Sequence, residues 1–311
     1  MEFSRGNMAT GDEKFVYEED GAVYLRLCVA LTVYFEGRIE DHAPGIEHFY
    51  VTALGRVGEH LRFYQTDSMK KPKPIKKSSA DAMAALMHFG EKVPVFYKLF
   101  VESEDAAQAA SRFSITVQAN RLTRAGALRL AIPVDEVLGH EDRFVALARE
   151  LTRTLALASG YGGFSFNRAE ESDLQGTGNV RSAALSHRWY GIDVEDLSGT
   201  VSAIPHGLKS AGWLTLVGSK LLDRLGGSDA LAAVLPPEVI LHPLPFGVLI
   251  QAGPRPLLGD VNRGEDLPLY RAVGRVLAPI RAPSHPRYLF KEALSNEDEG
   301  WTQKWLARFD Q

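Results

Sequence analysis

Cysteine is almost absent. Cys28 is the only one in 311 residues, so no intrachain disulfide can form and a reducing compartment is expected. No run approaches ~20 apolar residues, which argues against a membrane-spanning helix. The opening stretch, MEFSRGNMATGDEKFVYEEDG, lacks the apolar centre of a secretory signal, so a cytoplasmic location is expected. An excess of one charge sign is missing too: 35 basic and 39 acidic side chains, evenly spread, leave a net charge of −4. Non-specific nucleic-acid binding wants a concentrated basic face, so direct nucleic-acid binding is not expected.

What is present is an ordinary globular composition, 45% hydrophobic and 24% charged. A domain of this length buries roughly three quarters of its unfolded surface and needs no metal or disulfide staple. Residues 1–20 are expected to be a disordered N-terminal segment, of which 1–7 precede Met8 and are set aside. Residues 21–311 are expected to form one domain, because no Gly/Ser- or Pro-rich spacer divides them. Two lobes meeting near 125–165 remain an open alternative.

The segment AVYLRLCVALTVYF alternates cleanly, with Val23, Leu25, Leu27, Val29, Leu31, Val33 and Phe35 on one face of a half-buried strand. Ile46–Leu61 and Glu141–Ala158 carry apolar residues at helical spacing, and a further helix is expected over Ala80–Phe89. Strands are expected in RFYQT, VFYKLFVES, RFSITVQA, ALRLAIPV, YGGFSFN and WLTLV, with a hairpin around Pro245. Asp266 is expected to cap a helix with Pro268 in its first turn, and a last helix spans about Gly300–Arg308. The order implies an α+β fold with mixed, largely antiparallel sheets packed with helices, in two lobes of similar plan within one compact unit.

Candidate chemistry is sparse. Gly218-Ser219-Lys220 lacks the spacing of a phosphate-binding loop, and Ser219 reads as a helix N-cap. Gly176-Thr-Gly178 begins a dinucleotide fingerprint but has Arg181 in place of its third glycine, so a turn is expected. His42 and His48, six apart, fall on opposite sides of a helix, and His140-Glu141 lacks a second histidine for zinc. Cys28 sits mid-strand, where a thiol is unreactive. No catalytic set, metal or cofactor is therefore expected. KKPKPIKK, Lys70 to Lys77, reads as a solvated loop or a docking segment for an acidic partner. Trp189, Tyr190, Asp193, Glu195 and Asp196, with Glu170, Glu171 and Asp173 upstream, could form an acidic, aromatic-rimmed surface for a basic partner. The competing reading puts the two aromatics in the core beneath ordinary surface acids.

GVLIQAGPRPLLGDVNRGEDLPLYRAVGRVLAPIR resembles the last third of the type VI secretion immunity family. The residues that carry the resemblance are Gln251, Ala252, Gly253, Pro256, Gly259, Asp260, Val261, Asn262, Tyr270, Leu277, Pro279, Ile280 and Arg281. GWLTLVGSKLLDRLGG with Trp213, WYGIDV and the closing WLARFD are similar to it as well, so the resemblance covers about Val23 to Asp310. It implies a stoichiometric inhibitor whose partner is a cognate secreted effector toxin. The absent secretory signal makes a nuclease or nucleotide-consuming toxin the expected target. Trp213, Gln251, Gly253, Gly259, Asp260, Asn262 and Tyr270 then read as architecture, with glycines turning where a Cβ would obstruct. An effector chaperone or adaptor, and an enzyme with scattered active-site residues, stay open at this stage.

Overall fold

The alternating segment becomes the spine of the molecule. The structure is a computed structural model that describes residues 15–76, 96–104, 109–169, 174–285 and 299–311. Strand β2 (Ala22–Glu36) pairs with β8 (Ser159–Arg168) along one edge. Along its other edge, Cys28–Glu36 pair with β7 (Ala125–Pro133), and Ala22–Arg26 pair with β1 (Val16–Glu19). The remaining strands are β3 (Phe63–Thr66), β4 (Lys73–Pro74), β5 (Phe96–Glu102), β6 (Ser114–Asn120), β9 (Leu214–Gly218), β10 (Val239–Leu244) and β11 (Gly247–Ala252). All eleven join one sheet in the order β10-β11-β9-β8-β2-β7-β6-β5-β3-β4, with β1 beside β2. Its ladders are antiparallel throughout, so the α+β class holds with a single sheet rather than several. Residues 125–168 supply β7 and β8, and the sheet runs unbroken through them.

The expected disorder of residues 1–20 does not extend to 15–20. Asp20 and Gly21 both take left-handed backbone (φ 52° and 78°), the conformation of a tight two-residue hairpin, and fold β1 back on β2. Phe15 is buried with its ring 5.6 Å from that of Trp189.

Strand β2 is buried on both faces, not on one. On the Leu31 side it packs with helix α1 (Ala43–Val57) and helix α2 (Glu141–Leu151) through Ile46, Phe49, Phe144 and Leu151. On the opposite side Tyr34 packs against Val201 of helix α4 (Leu197–Ala203), with Ala125, Ala127 and Tyr161. Strand β7 suits both layers: Leu128, Leu130 and Ile132 fill the first, while its alanines let α4 approach on the second. Helix α3 (Leu174–Arg188) lies beside β2 and β8 and takes in Gly176 and Gly178, so the turn expected there is helical. Helices α5 (Ser219–Arg224), α6 (Gly227–Val234), α7 (Pro268–Leu277) and α8 (Glu299–Leu306) complete the described chain.

Several helix boundaries differ from expectation. Helix α1 stops at Val57, and 58–60 tighten into a 3-10 turn. Helix α2 stops at Leu151 rather than Ala158, because the Thr152 hydroxyl bonds back to Ala148 O at 2.9 Å and the chain then extends until Ala158 N donates to Tyr34 O. Gly218 occupies the cap position before α5 and Leu267 that before α7, so neither Ser219 nor Asp266 serves as the N-cap. The helix expected over Ala80–Phe89 lies outside the described residues.

Gly126, opposite Phe35 in the β2–β7 ladder, is filled by that ring: a Cβ there would lie 2.2 Å from Phe35 Cζ and 2.8 Å from Gln118 O. Gly126→Val is therefore expected to cost about 1–3 kcal/mol in urea unfolding. Gly126→Ala should be tolerated better when Phe35 is replaced by Leu than in the native background. Equal costs in both backgrounds would contradict this packing.

Candidate functional site

Polar residues collect on one face at the middle of the sheet. Thr32 of β2 is opposite Arg129 of β7 and Tyr161 of β8, so these three side chains share a face. Arg129 is buried and has to be matched there. Its Nη1 donates to Asn167 Oδ1 at 2.7 Å and its Nη2 to Phe166 O at 3.2 Å, while its Nε lies 3.4 Å from Glu195 Oε2. Glu195 also accepts from Thr32 Oγ1 at 3.0 Å. Beside this cluster the Tyr34 and Tyr161 hydroxyls are 2.6 Å apart, and buried Lys209 donates to Tyr161 and to Asp193. Burial lifts both phenols well above their ordinary value, with the Glu195 charge adding to it, so both keep their protons. Burial also raises the Asp193 carboxyl, against the pull of Lys209 at 3.0 Å.

The segment from Trp189 to Trp213 covers this face. Asp196 caps α4 by accepting from Gly199 N at 2.9 Å, Gln118 donates to Ser198, and Thr200 bonds His285. Arg308, from the C-terminal turn, donates to Tyr190 O and Ser210 Oγ and stacks 3.6 Å over Trp305. Between cover and sheet lies a cavity of about 20 Å³ lined by Thr32, Tyr161, Asp193, Ser210 and Arg308. It has room for about one water, not for a substrate.

The loop between β11 and α7 is anchored at every turn. Trp213 Nε1 and Gln251 Nε2 both donate to Gly253 O, and Gln251 Oε1 meets His242. Gly253 and Gly259 take left-handed backbone, and a Cβ at Gly259 would lie 2.7 Å from Leu267. Asp260 is fully inaccessible: its carboxylate accepts from Arg188 Nη2 at 2.8 Å and Nε at 3.1 Å, and from Asn262 N at 3.0 Å. The Arg188 hydrogen bonds hold the Asp260 carboxyl below its ordinary value. Tyr270 is buried, and its hydroxyl accepts from Leu257 N at 3.0 Å.

The expected acidic surface is therefore not assembled from its described members. Asp193, Glu195 and Asp196 are turned to Lys209, to Arg129 and Thr32, and to the α4 N-terminus, since buried cations and an open helix end must be matched. Glu170, Glu171 and Asp173 lie outside the described residues. Trp189 and Tyr190 are half-buried, with the Arg188 guanidinium 4.7 Å over the Trp189 ring. Lys220 pairs with Glu36, and Cys28 is buried 3.4 Å from Ser165 O. Among the described residues no group of three or more His, Cys, Asp or Glu could hold a metal ion. Sequence reasoning missed Arg129, Lys209, Arg188 and Arg308. Only Arg129 had a signal, a charge in the middle of the otherwise apolar ALRLAI.

A family described as type VI immunity for VRR-NUC matches residues 46–309. No curated protein matches the chain. Among solved structures, a Pseudomonas aeruginosa T6SS protein, PA0821, superposes with a TM-score of 0.79 at 18% identity, over 98% of this chain and 91% of that one. At that identity the likeness is one of fold.

Two predictions test the matched charges. Glu195→Leu leaves Arg129 without its carboxylate and should cost about 3–5 kcal/mol, while Arg129→Met with Glu195→Leu recovers most of it. A double variant no more stable than the single one would contradict the pairing. Asp260, held low in the folded chain, contributes stability that is present above the unfolded carboxylate pKa of about 3.9 and fades as pH falls further. Asp260→Asn should thus flatten the unfolding midpoint against pH below about 4, and an unchanged slope would count against this linkage.

Proposed function

This chain belongs to the family of type VI immunity for VRR-NUC, and from that membership we propose that it binds a cognate type VI effector nuclease and neutralises it as a stoichiometric inhibitor. The observation that carries the reading is the match over residues 46–309, which spans both halves of the sheet. The interior favours a binder over a catalyst. It holds the matched pairs Arg129 with Glu195 and Lys209 with Asp193, and the cavity beside them holds about one water. Inhibition then rests on occlusion through an interface of roughly 1,600 Å² in total. The encounter belongs in the cytoplasm, where a nuclease meets its nucleic acid. Among the described residues no helix is long and apolar enough to cross a membrane.

Co-expression with a VRR-NUC effector tests the proposal. Cells carrying both should survive effector induction, and the two chains should co-purify in equal amounts. Co-purification without survival would replace inhibition by an adaptor role. Survival without a complex would reopen an enzymatic one.

A further inference from the structure

With Asp193, Glu195 and Asp196 engaged inside the fold, the described surface around Trp189 is lined by arginines. Helix α3 carries Arg181, His187 and Arg188 and no acidic residue between Leu174 and Arg188. Thr177, Val180, Arg181, Ala184 and Arg188 recur at three- and four-residue intervals and form its exposed face. Arg181 lies 5.1 Å over the Tyr17 ring of β1, and Arg188 lies 4.7 Å over Trp189. Both guanidiniums act on the Tyr17 hydroxyl, so the two cation–aromatic pairs are neighbours. Arg188 continues to Asp260, and beyond it Val261 and Arg263 stand out from the loop, with Arg263 Nε 3.7 Å from the same carboxylate. Strand β1, helix α3 and the loop after β11 thus share one continuous surface.

Two features distinguish this surface from an ordinary solvated face. The first is charge. Arg188 and Arg263 share the single carboxylate of Asp260, and Arg181 has no carboxylate within 4 Å among the described residues. Glu265, exposed in the same loop, accepts from Asp260 N, so the three arginines face two carboxylates and the described patch keeps a small positive excess on a chain whose net charge is −4. The second is composition and order. Arginine, tryptophan and tyrosine are the side chains most concentrated at the centres of protein interfaces. Guanidiniums already stacked on rings and tied to a buried carboxylate lose little freedom when a partner arrives. Val180 and Val261, 42% and 38% exposed, add apolar area beside them.

We infer that this arginine–aromatic patch receives the effector nuclease and engages a carboxylate-bearing element of it. The inference rests on the function proposed above and names the surface that performs it. Charge complementarity decides the occupant. Nucleases that use metal ions hold them with aspartate and glutamate side chains, and a planar guanidinium fork is the protein group best matched to such carboxylates. Duplex DNA also attracts arginine, but the rings stacked under Arg181 and Arg188 and the apolar area of Val180 and Val261 suit a protein surface better than a phosphate backbone.

The test uses the full chain and a VRR-NUC effector made inactive by substitution of its metal-binding carboxylates one at a time. Arg181→Glu with Val261→Asp changes two exposed side chains outside the hydrogen-bonded framework. This variant should keep its thermal midpoint and bind the effector at least ~30-fold more weakly. Lys71→Glu with Lys73→Glu, on the β4 side of the sheet, should stay within about threefold of the native chain. Arg181→Ala should weaken binding in the same direction and reduce its dependence on salt. Native affinity in the patch variant, or a loss confined to the lysine variant, would overturn the assignment while leaving the inhibitor function intact. Binding of a short DNA duplex by the native patch, lost in the variant, would overturn it in favour of nucleic acid. A native chain that binds no effector would instead remove the function on which the assignment stands.

Discussion

A full positive charge at the centre of an eleven-stranded sheet is the constraint around which the molecule is arranged. Arg129 cannot be left unmatched in that position, because an isolated buried cation costs several kcal/mol. The match comes from β8 through Asn167 and Phe166 O, and from Glu195, which belongs to the covering segment rather than to the sheet. Sheet and cover are thereby obliged to close on one another in one register. Thr32, set between Arg129 and Tyr161, gives Glu195 its second contact from β2. Beside it Lys209 and Asp193 pair within the cover, and Lys209 reaches the sheet through the Tyr161 hydroxyl.

The same logic ties the ends of the chain to its middle. Asp260, inaccessible in its loop, is matched by Arg188 from the end of α3, and Arg188 in turn sits over Trp189, against which Phe15 packs. Arg308 fastens the C-terminal turn to Tyr190 and Ser210, and Arg281 pairs with Asp310. Segments far apart in sequence thus meet on charges rather than on apolar contacts alone. At the surface end of these pairings Arg188 and Arg263 meet on Asp260, with Glu265 bonded to the same residue's backbone.

How much of this is legible in the sequence depends on how local each signal is. The alternation of β2, the hairpin around Pro245 and the apolar stripe of α1 are local, and each appears where its pattern places it. The burial of both faces of β2 is not local, because it depends on what covers Tyr34. Asp20-Gly21 between alternating residues is a readable hairpin signal, which the expectation of a disordered segment through residue 20 passes over. The acids near Trp189 are visible in sequence, yet their direction is not. That direction is decided by cations such as Arg129, and by pairings like that of Arg188 with Asp260, 72 residues away. Of the acidic surface read from composition, the described members Asp193, Glu195 and Asp196 are each engaged by a partner inside the fold. Family motifs in the later part of the chain reached further, because they carry this long-range context with them.

The central claim is that the chain acts by occupying its target rather than by altering it. Titration of a purified VRR-NUC effector with this protein, following nucleic-acid cleavage, tests that most directly. The account predicts activity falling linearly to zero at one chain per effector, with effector of unchanged mass and full activity after the complex is dissociated. Loss of activity at a small fraction of one equivalent, or an effector that stays inactive and covalently changed after separation, would contradict it.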